Sequence, residues 1–180
     1  MELLSERLCL QRIQNKHAKE IFDYRSDVKT NQYQGWIPKN IDDVYDFINN
    51  RVSKSINQID TWYQLVIICR EDQKVIGDIG IHFLDADEKQ VELGCTLAKS
   101  YHGKGFANEA LSEVIKFLFT HLNKHRITAS VDPANIKSIA MLEHLGFRKE
   151  AHFVKSILIN DEWVDDVIYA VLKNEWINKT

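Results

Sequence analysis

Hydrophobic and polar positions change period repeatedly along the chain, and each change marks an element. Residues 7–13 alternate as R-L-C-L-Q-R-I, the period of a half-buried strand, and residues 17–25 then place Ala18, Ile21 and Phe22 on one helical face. Past the turn-like run Gln34-Gly35-Trp36-Ile37-Pro38, residues 41–56 set Ile41, Val44, Tyr45, Ile48 and Val52 at helical spacing, with Asn40 as the cap. Residues 62–70 and 74–83 are rich in β-branched and aromatic side chains and are separated by Glu71-Asp72-Gln73, which predicts a hairpin; residues 91–97 form the next strand. The remainder predicts a helix over 106–122, a strand over 126–131, a helix over 136–145, and strands over 147–159 and 162–172 turned at Asn160-Asp161. The order β-α-α-β-β-β-α-β-α-β-β describes an α/β chain with a mixed sheet and helices on both faces.

Composition narrows the class. At 180 residues, with no repeat or linker and with Pro38 and Pro133 both at handovers between elements, the chain is expected to form one domain over 1–180. Its 44% hydrophobic and 27% charged residues are those of a soluble globular protein, and no stretch approaches the roughly 18 apolar residues of a membrane span. Glu2 and Glu6 stand where a signal peptide has a basic start, so a cytoplasmic location is expected. A formal charge of −3 without a dense Lys/Arg run speaks against a nucleic-acid partner and leaves open an acidic cleft for cationic substrates. Cys9, Cys69 and Cys95 lie far apart and are read as reduced core thiols.

Candidate chemistry concentrates in residues 91–111, V-E-L-G-C-T-L-A-K-S-Y-H-G-K-G-F-A-N-E-A-L: a strand, a glycine turn and an amphipathic helix. Ala107, Ala110, Leu111, Val114 and Leu118 make the buried stripe, and Asn108, Glu109, Ser112, Glu113 and Lys116 the solvent face. A helix starting after Gly105 presents unpaired backbone N–H groups, and Gly103 and Gly105 let an anion approach them closely. This outlines a phosphate cradle; the plain alternative is an ordinary glycine turn. Residues 94–100 lack the glycine spacing of a nucleotide-triphosphate loop. His121 and His125 have metal-ligand spacing but no evident third ligand, so no metal site is expected.

His102-Gly103-Lys104-Gly105-Phe106-Ala107, followed by Asn135-Ile136-Lys137-Ser138 and Leu145-Gly146-Phe147, resembles the Q/R-x-x-G-x-G/A signature and downstream landmarks of the GNAT acyltransferases. Glu92-Leu93-Gly94, Asn160-Asp161-Glu162-Trp163, Tyr169 and Glu175-Trp176 look most like the RimJ/RimL type, the ribosomal-protein N-terminal acetyltransferases. The resemblance covers nearly the whole chain. It implies a twisted, mostly antiparallel sheet of about seven strands splayed at the middle, and acetyl-coenzyme A as co-substrate acylating an amine. By the same resemblance, pantetheine would lie along the backbone of Cys95, Thr96 and Leu97. The pyrophosphate would rest on the amides of His102, Gly103, Lys104, Gly105, Phe106, Ala107 and Asn108, with Asn135 also reaching the cofactor; Asn135 can equally be a helix cap. A bulge at Gly94 would open the slot, freeing an amide near Gly94 or Cys95 for the thioester oxygen. His102 departs from the Gln or Arg of the signature.

Attack on a thioester needs a neutral amine and a proton for the thiolate. Many relatives supply the proton from a Tyr seven residues after the Asn, where this chain has Leu142; Ser138, Asn135 with a water, and Tyr101 are the candidates instead. Glu92 is the candidate base, its alternative being an ordinary strand carboxylate. Without a Tyr acid, an α-amine (pKa about 7.7–8.0) is a more accessible acceptor than a lysine-type amine (about 10.4). The acceptor is therefore expected to be a protein or peptide N-terminus, with polyamines, aminoglycosides or other small amines as alternatives. A non-catalytic acetyl-coenzyme A-binding module and a longer-chain acyltransferase are the competing readings. Tyr33, Trp36 and Trp62 are core aromatics or line the acceptor cleft, and a monomer or homodimer is expected.

Overall fold

The computed structural model describes residues 1–84, 89–159 and 161–177. In chain order the elements are β1 (Glu2–Leu4), β2 (Leu8–Arg12), α1 (Ala18–Arg25), α2 (Ile41–Asp46), β3 (Thr61–Cys69), β4 (Val75–Phe83), β5 (Gln90–Leu97), α3 (Phe106–Thr120), β6 (Arg126–Val131), α4 (Ile136–His144), β7 (Arg148–Ile159), β8 (Glu162–Leu172) and α5 (Lys173–Ile177). The strands form one sheet in the order β1-β2-β3-β4-β5-β6-β8-β7. Every neighbouring pair is antiparallel except β5 and β6.

The expected mixed sheet with helices on both faces is present, with eight strands rather than about seven. The added strand is β1, whose three residues are too few to show alternation but pair Glu2–Leu4 with Cys9–Gln11. The helix expected over 41–56 is shorter. Asn40 caps it by accepting from the Asp43 N–H at 3.0 Å, but after Asp46 the chain widens into a π turn, Phe47–Arg51, and Val52 is extended. The short α5 was not anticipated by the periodicity, and Asn160 of the final turn lies outside the described residues. Its neighbour Asp161 has φ 64°, a left-handed turn conformation that Asp tolerates.

Each face of the sheet buries its own cluster. On one side α3 and α4 cover Leu65, Ile67, Ile79, Ile81 and Phe83; on the other, α1 and α2 cover Ile13, Val66, Ile68 and Val75. Within α3 the stripe includes Ile115 and Phe119 as well as the expected leucines and valine. Full burial of a side chain such as Phe119 contributes roughly 1.5–3 kcal/mol. A register slip between Ile67 and Ile68 pairs them with Gly77 and Val75 and skips Ile76. The pleat therefore changes face, so Ile76 joins Ile79 under α3. Asp78 instead meets α1: Arg25 Nη2 donates to its Oδ1 at 2.5 Å, Arg25 Nε to its Oδ2 at 2.9 Å, and Tyr24 and Gln64 also donate to it.

Candidate active site

The parallel pairing of β5 and β6 is brief. It runs only over Gln90–Arg126, Val91–Ile127 and Glu92–Thr128, after which the two strands part. β5 meanwhile stays in unbroken antiparallel register with β4 from Val91 to Leu97, so the bulge expected at Gly94 is not there; divergence from β6 alone opens the sheet. A Cβ on Gly94 would meet nothing within 4 Å, which leaves this glycine facing open space. Below the parting lies a cavity of about 700 Å³.

Beyond β5 a single 3-10 turn, Lys99–Tyr101, leads into the glycine turn. Gly103 and Gly105 have φ 73° and 81°, left-handed values that side chains rarely adopt, and Gly105 is the residue from which α3 starts. The first-turn amides of α3 thus begin beside two glycines; a Cβ on Gly103 would meet nothing within 4 Å, and one on Gly105 would lie 3.4 Å from Arg7 Nη2. Asn108 Oδ1 is buried there without a hydrogen-bond partner. His102 turns its ring back, placing Nε2 2.7 Å from the Leu97 carbonyl oxygen at the end of β5.

Periodicity does not reveal what braces this turn. Arg7, at the entry to β2, donates from Nη1 to the Lys104 carbonyl at 3.0 Å and stacks 4.3 Å from the Phe106 ring centroid. Glu109, expected on the solvent face, instead accepts from Arg7 Nε and from Ser5 Oγ, each at 2.6 Å. No local pattern could have announced a contact across a hundred residues of chain.

On the far side of the slot, Asn135 caps α4: its Oδ1 accepts from the Ser138 N–H at 3.3 Å. Asn135, Ser138 and Leu142 all line the cavity, and Leu142 is buried in its wall. Tyr101 is elsewhere. Its hydroxyl donates to Asp72 at 3.1 Å in the β3–β4 turn, which separates it from Glu92 and Ser138. Cys95 lines the cavity, but burial and the nearby Asp78 carboxylate push its thiol up to about 12, so at neutral pH it is not a nucleophile.

The other half of the cavity is built from the α1–α2 connection and the β7–β8 hairpin. Tyr33 and Trp36 come from the former; Ile157, Leu158, Asp165 and Asp166 from the latter; Trp62 reaches in from β3. Trp62 does not join the core; it is partly exposed and stacks on His82 with centroids 4.7 Å apart. The α1–α2 connection is tied down by Arg25, which donates to the Trp36 carbonyl at 3.3 Å, and by Gln34, whose Oε1 accepts from Thr96 Oγ1 at 3.0 Å.

Glu92 lies at the centre of a cross-strand row. His82 on β4 and Thr128 on β6 are its direct neighbours, and Trp62 on β3 sits opposite His82. Burial, reinforced by the Asp166 carboxylate, raises the Glu92 carboxyl above its ordinary range, and His82 partly opposes the shift. Glu92, Asp132, Asp165 and Asp166 all line the cavity, and no Lys, Arg or His does so among the described residues. Of the predicted site residues, Glu92, Cys95, Asn135 and Ser138 line this cavity, whereas Thr96, Leu97 and residues 102–108 of the glycine turn are not in its lining.

The parts on offer are those an extended anionic thioester such as acetyl-coenzyme A would need: left-handed glycines at a helix N-terminus, a gap between parting strands, and a half-buried carboxylate in the cavity. A family model described as "Acetyltransferase (GNAT) domain" matches residues 7–148. An uncharacterised N-acetyltransferase, YnaD, of Bacillus subtilis is 30% identical over 179 residues, covering 98% of this chain and 99% of that protein. The crystal structure of a GNAT-family acetyltransferase from Bacillus anthracis superposes with a TM-score of 0.85 at 27% identity, over 97% of this chain and all of that one. Shorter matches point two ways. One is to the ribosomal protein uS5-alanine N-acetyltransferase of Escherichia coli, 34% identical over 84 residues (47% of this chain, 43% of that protein). The other is to a spermidine N(1)-acetyltransferase of Vibrio cholerae, 27% identical over 108 residues (60% and 62%). With the family model spanning most of the sheet and both walls of the slot, the chain belongs to the GNAT acetyltransferases, enzymes that transfer an acetyl group from acetyl-coenzyme A to an amine.

Proposed function

We propose that residues 1–180 act as one N-acetyltransferase domain of the RimJ/RimL type, whose acceptor is the N-terminal α-amine of a protein or peptide. The observation that carries this reading is the base on offer. The cavity presents Glu92, with no Lys, Arg or His among the described residues of the lining, and it has Leu142 where many relatives have a tyrosine. An α-ammonium ionises at about 7.7–8.0 and a lysine-type ammonium at about 10.4; that gap of roughly 2.5 units corresponds to about 3.4 kcal/mol in forming the neutral nucleophile. A weak carboxylate base is adequate for the former and poor for the latter. The four carboxylates also suit a cationic acceptor held between Tyr33, Trp36 and Trp62.

In this reading the backbone of Cys95, Thr96 and Leu97 holds the pantetheine arm. The amides of His102, Gly103, Lys104, Gly105, Phe106, Ala107 and Asn108 hold the pyrophosphate, and Asn135 contacts the cofactor while capping α4. Acetyl-coenzyme A supplies the activated acyl carbon and a thiolate leaving group. Glu92 takes the ammonium proton, directly or through a water, and Ser138 holds a hydroxyl proton where thiolate charge develops. Because the Cys95 thiol stays protonated, attack by the amine is direct, within a ternary complex.

Asp132, Asp165 and Asp166 favour a second reading, in which a polyamine places one ammonium at Glu92 and another among these carboxylates. Thiol release measured on one preparation with N-terminal peptides and with spermidine decides between them. Peptide turnover with little spermidine turnover is expected; the reverse overturns the N-terminal assignment.

A further inference from the structure

Trp62 lines the cavity from β3 and stays 37% exposed, although an indole gains most by joining a core. Its seat is built for it. The ring stacks on His82, with centroids 4.7 Å and planes 10° apart, and His82 Nε2 lies in turn 3.6 Å from Asp60 Oδ1. Two residues before His82 on β4 stands Gly80, where a Cβ would lie 3.0 Å from both Cε3 and Cζ3 of Trp62 and 2.9 Å from Gln64 Oε1. Gln64 does not yield easily, because its Nε2 donates to the buried Asp78. Only a residue without a side chain therefore lets the indole settle against β4. With one face on His82, the opposite face is what Trp62 offers to the cavity it lines.

Register sets how far this face is from the reacting amine. Trp62 is opposite His82 and His82 is opposite Glu92, so two strand spacings, roughly 10 Å, separate the indole's strand position from Glu92. We propose that the open face of Trp62 is a specificity subsite for a second cationic group of the acceptor, about 10 Å from the amine that reacts, and that Gly80 is a positioning residue for that ring. The proposal rests on the reading of Glu92 as base and of a peptide N-terminus as acceptor. An extended peptide advances about 3.4 Å per residue, so a chain with its α-amine at Glu92 brings its third residue over Trp62. A Lys or Arg there stacks its cation on the indole; the remote ammonium of a polyamine is the same chemistry from another source.

The surroundings favour a cation over an apolar or acidic side chain. Glu92, Asp132, Asp165 and Asp166 line the cavity without a Lys, Arg or His among the described residues, so its field attracts positive charge. The neighbouring aromatics are already engaged. Trp36 stacks on Phe47 with centroids 4.4 Å apart and has the Arg25 guanidinium 5.2 Å from its ring, and the Tyr33 hydroxyl donates to the Ala134 carbonyl at 3.4 Å.

The test is thiol release by the full chain with N-terminal peptides that differ only in having Lys, Leu or Glu at the third position, and with spermidine as a second arm. The unmodified protein is expected to prefer the Lys peptide to the Leu and Glu peptides by about tenfold in kcat/KM. In Trp62→Leu that preference should shrink to about twofold, through KM rather than kcat, while Trp62→Phe retains most of it. Calorimetric affinity for acetyl-coenzyme A should not change in either variant, which a general structural defect would not allow. Gly80→Ala, by displacing the indole, should act like Trp62→Leu; the two Trp62 variants carry the test if Gly80→Ala does not fold. Equal use of the Lys and Leu peptides, or a Lys preference that survives Trp62→Leu, overturns the subsite. If spermidine turns over and the peptides do not, the N-terminal acceptor is refuted and the subsite is judged separately: a spermidine KM raised about fivefold in Trp62→Leu supports it, and an unmoved KM overturns it.

Discussion

Replacing Asp78 with alanine removes the acceptor of a buried network and leaves a guanidinium stranded. The Arg25 and Asp78 side chains are 9% and 2% exposed, and Asp78 receives two bonds from Arg25 and one each from Tyr24 and Gln64. Breaking a buried ion pair by deleting one partner costs about 3–5 kcal/mol, because the survivor keeps its desolvation penalty without compensation. For a chain of this size each kcal/mol corresponds to roughly 2–4 °C, so Asp78→Ala should melt roughly 6–20 °C lower. The double variant Arg25→Met/Asp78→Leu removes both charges and should recover most of that loss. Thermal and urea denaturation of Arg25→Met, Asp78→Leu and the double complete the cycle. Arg25 also donates to the Trp36 carbonyl and lies 5.2 Å from the Trp36 ring, so the acceptor KM should rise in Asp78→Ala even where the protein is fully folded. A single variant within about 1 kcal/mol of the parent, or a double less stable than either single, would refute the reasoning.

Two further outcomes follow from local geometry. Gly105→Ala forces a Cβ into φ 81°, at about 1–2 kcal/mol, and brings it to 3.4 Å from Arg7 Nη2; calorimetry should show acetyl-coenzyme A binding weakened by about tenfold, and unchanged affinity would mean the turn is not the phosphate cradle. His17 is 4% exposed, accepts at Nδ1 from the Gln14 N–H, and is pushed down from 6.5 to about 4 by burial. Its folded pKa lies below the unfolded one, so its stabilisation is complete above pH 6.5 and is lost as pH falls towards about 4. His17→Gln should flatten urea-denaturation stability over that window, and an unaltered slope would place the acid sensitivity elsewhere.

Local signals were enough for most of the architecture. The periodicity of residues 126–131 and 162–172 matches β6 and β8 at both ends, and the glycine turn expected at Gly103 and Gly105 is present, with both glycines left-handed. Both are decided within a few residues, by side-chain period and by the absence of a Cβ. The helix over 41–56 failed because spacing cannot foresee the π turn at Phe47–Arg51, and β1 escaped notice because three residues carry no readable period.

Chemistry divides along the same line. Glu92, Ser138 and Asn135 could be named from the chain because each sits in or beside a recognisable run. What surrounds them could not. The Arg7–Glu109 brace, the Asp78–Arg25 anchor and the Ser130–Asp166 contact join residues 102, 53 and 36 positions apart. Each depends on strand order and register, which arise only when distant segments bury their apolar faces together. The amino-acid sequence by itself thus determined most of the elements and the candidate site residues. The tertiary structure alone decided that β5 parts from β6 after Glu92, and that two carboxylates from different strands share the cavity opened there. Strand pairing is a long-range property, and local periodicity holds no information about the partner.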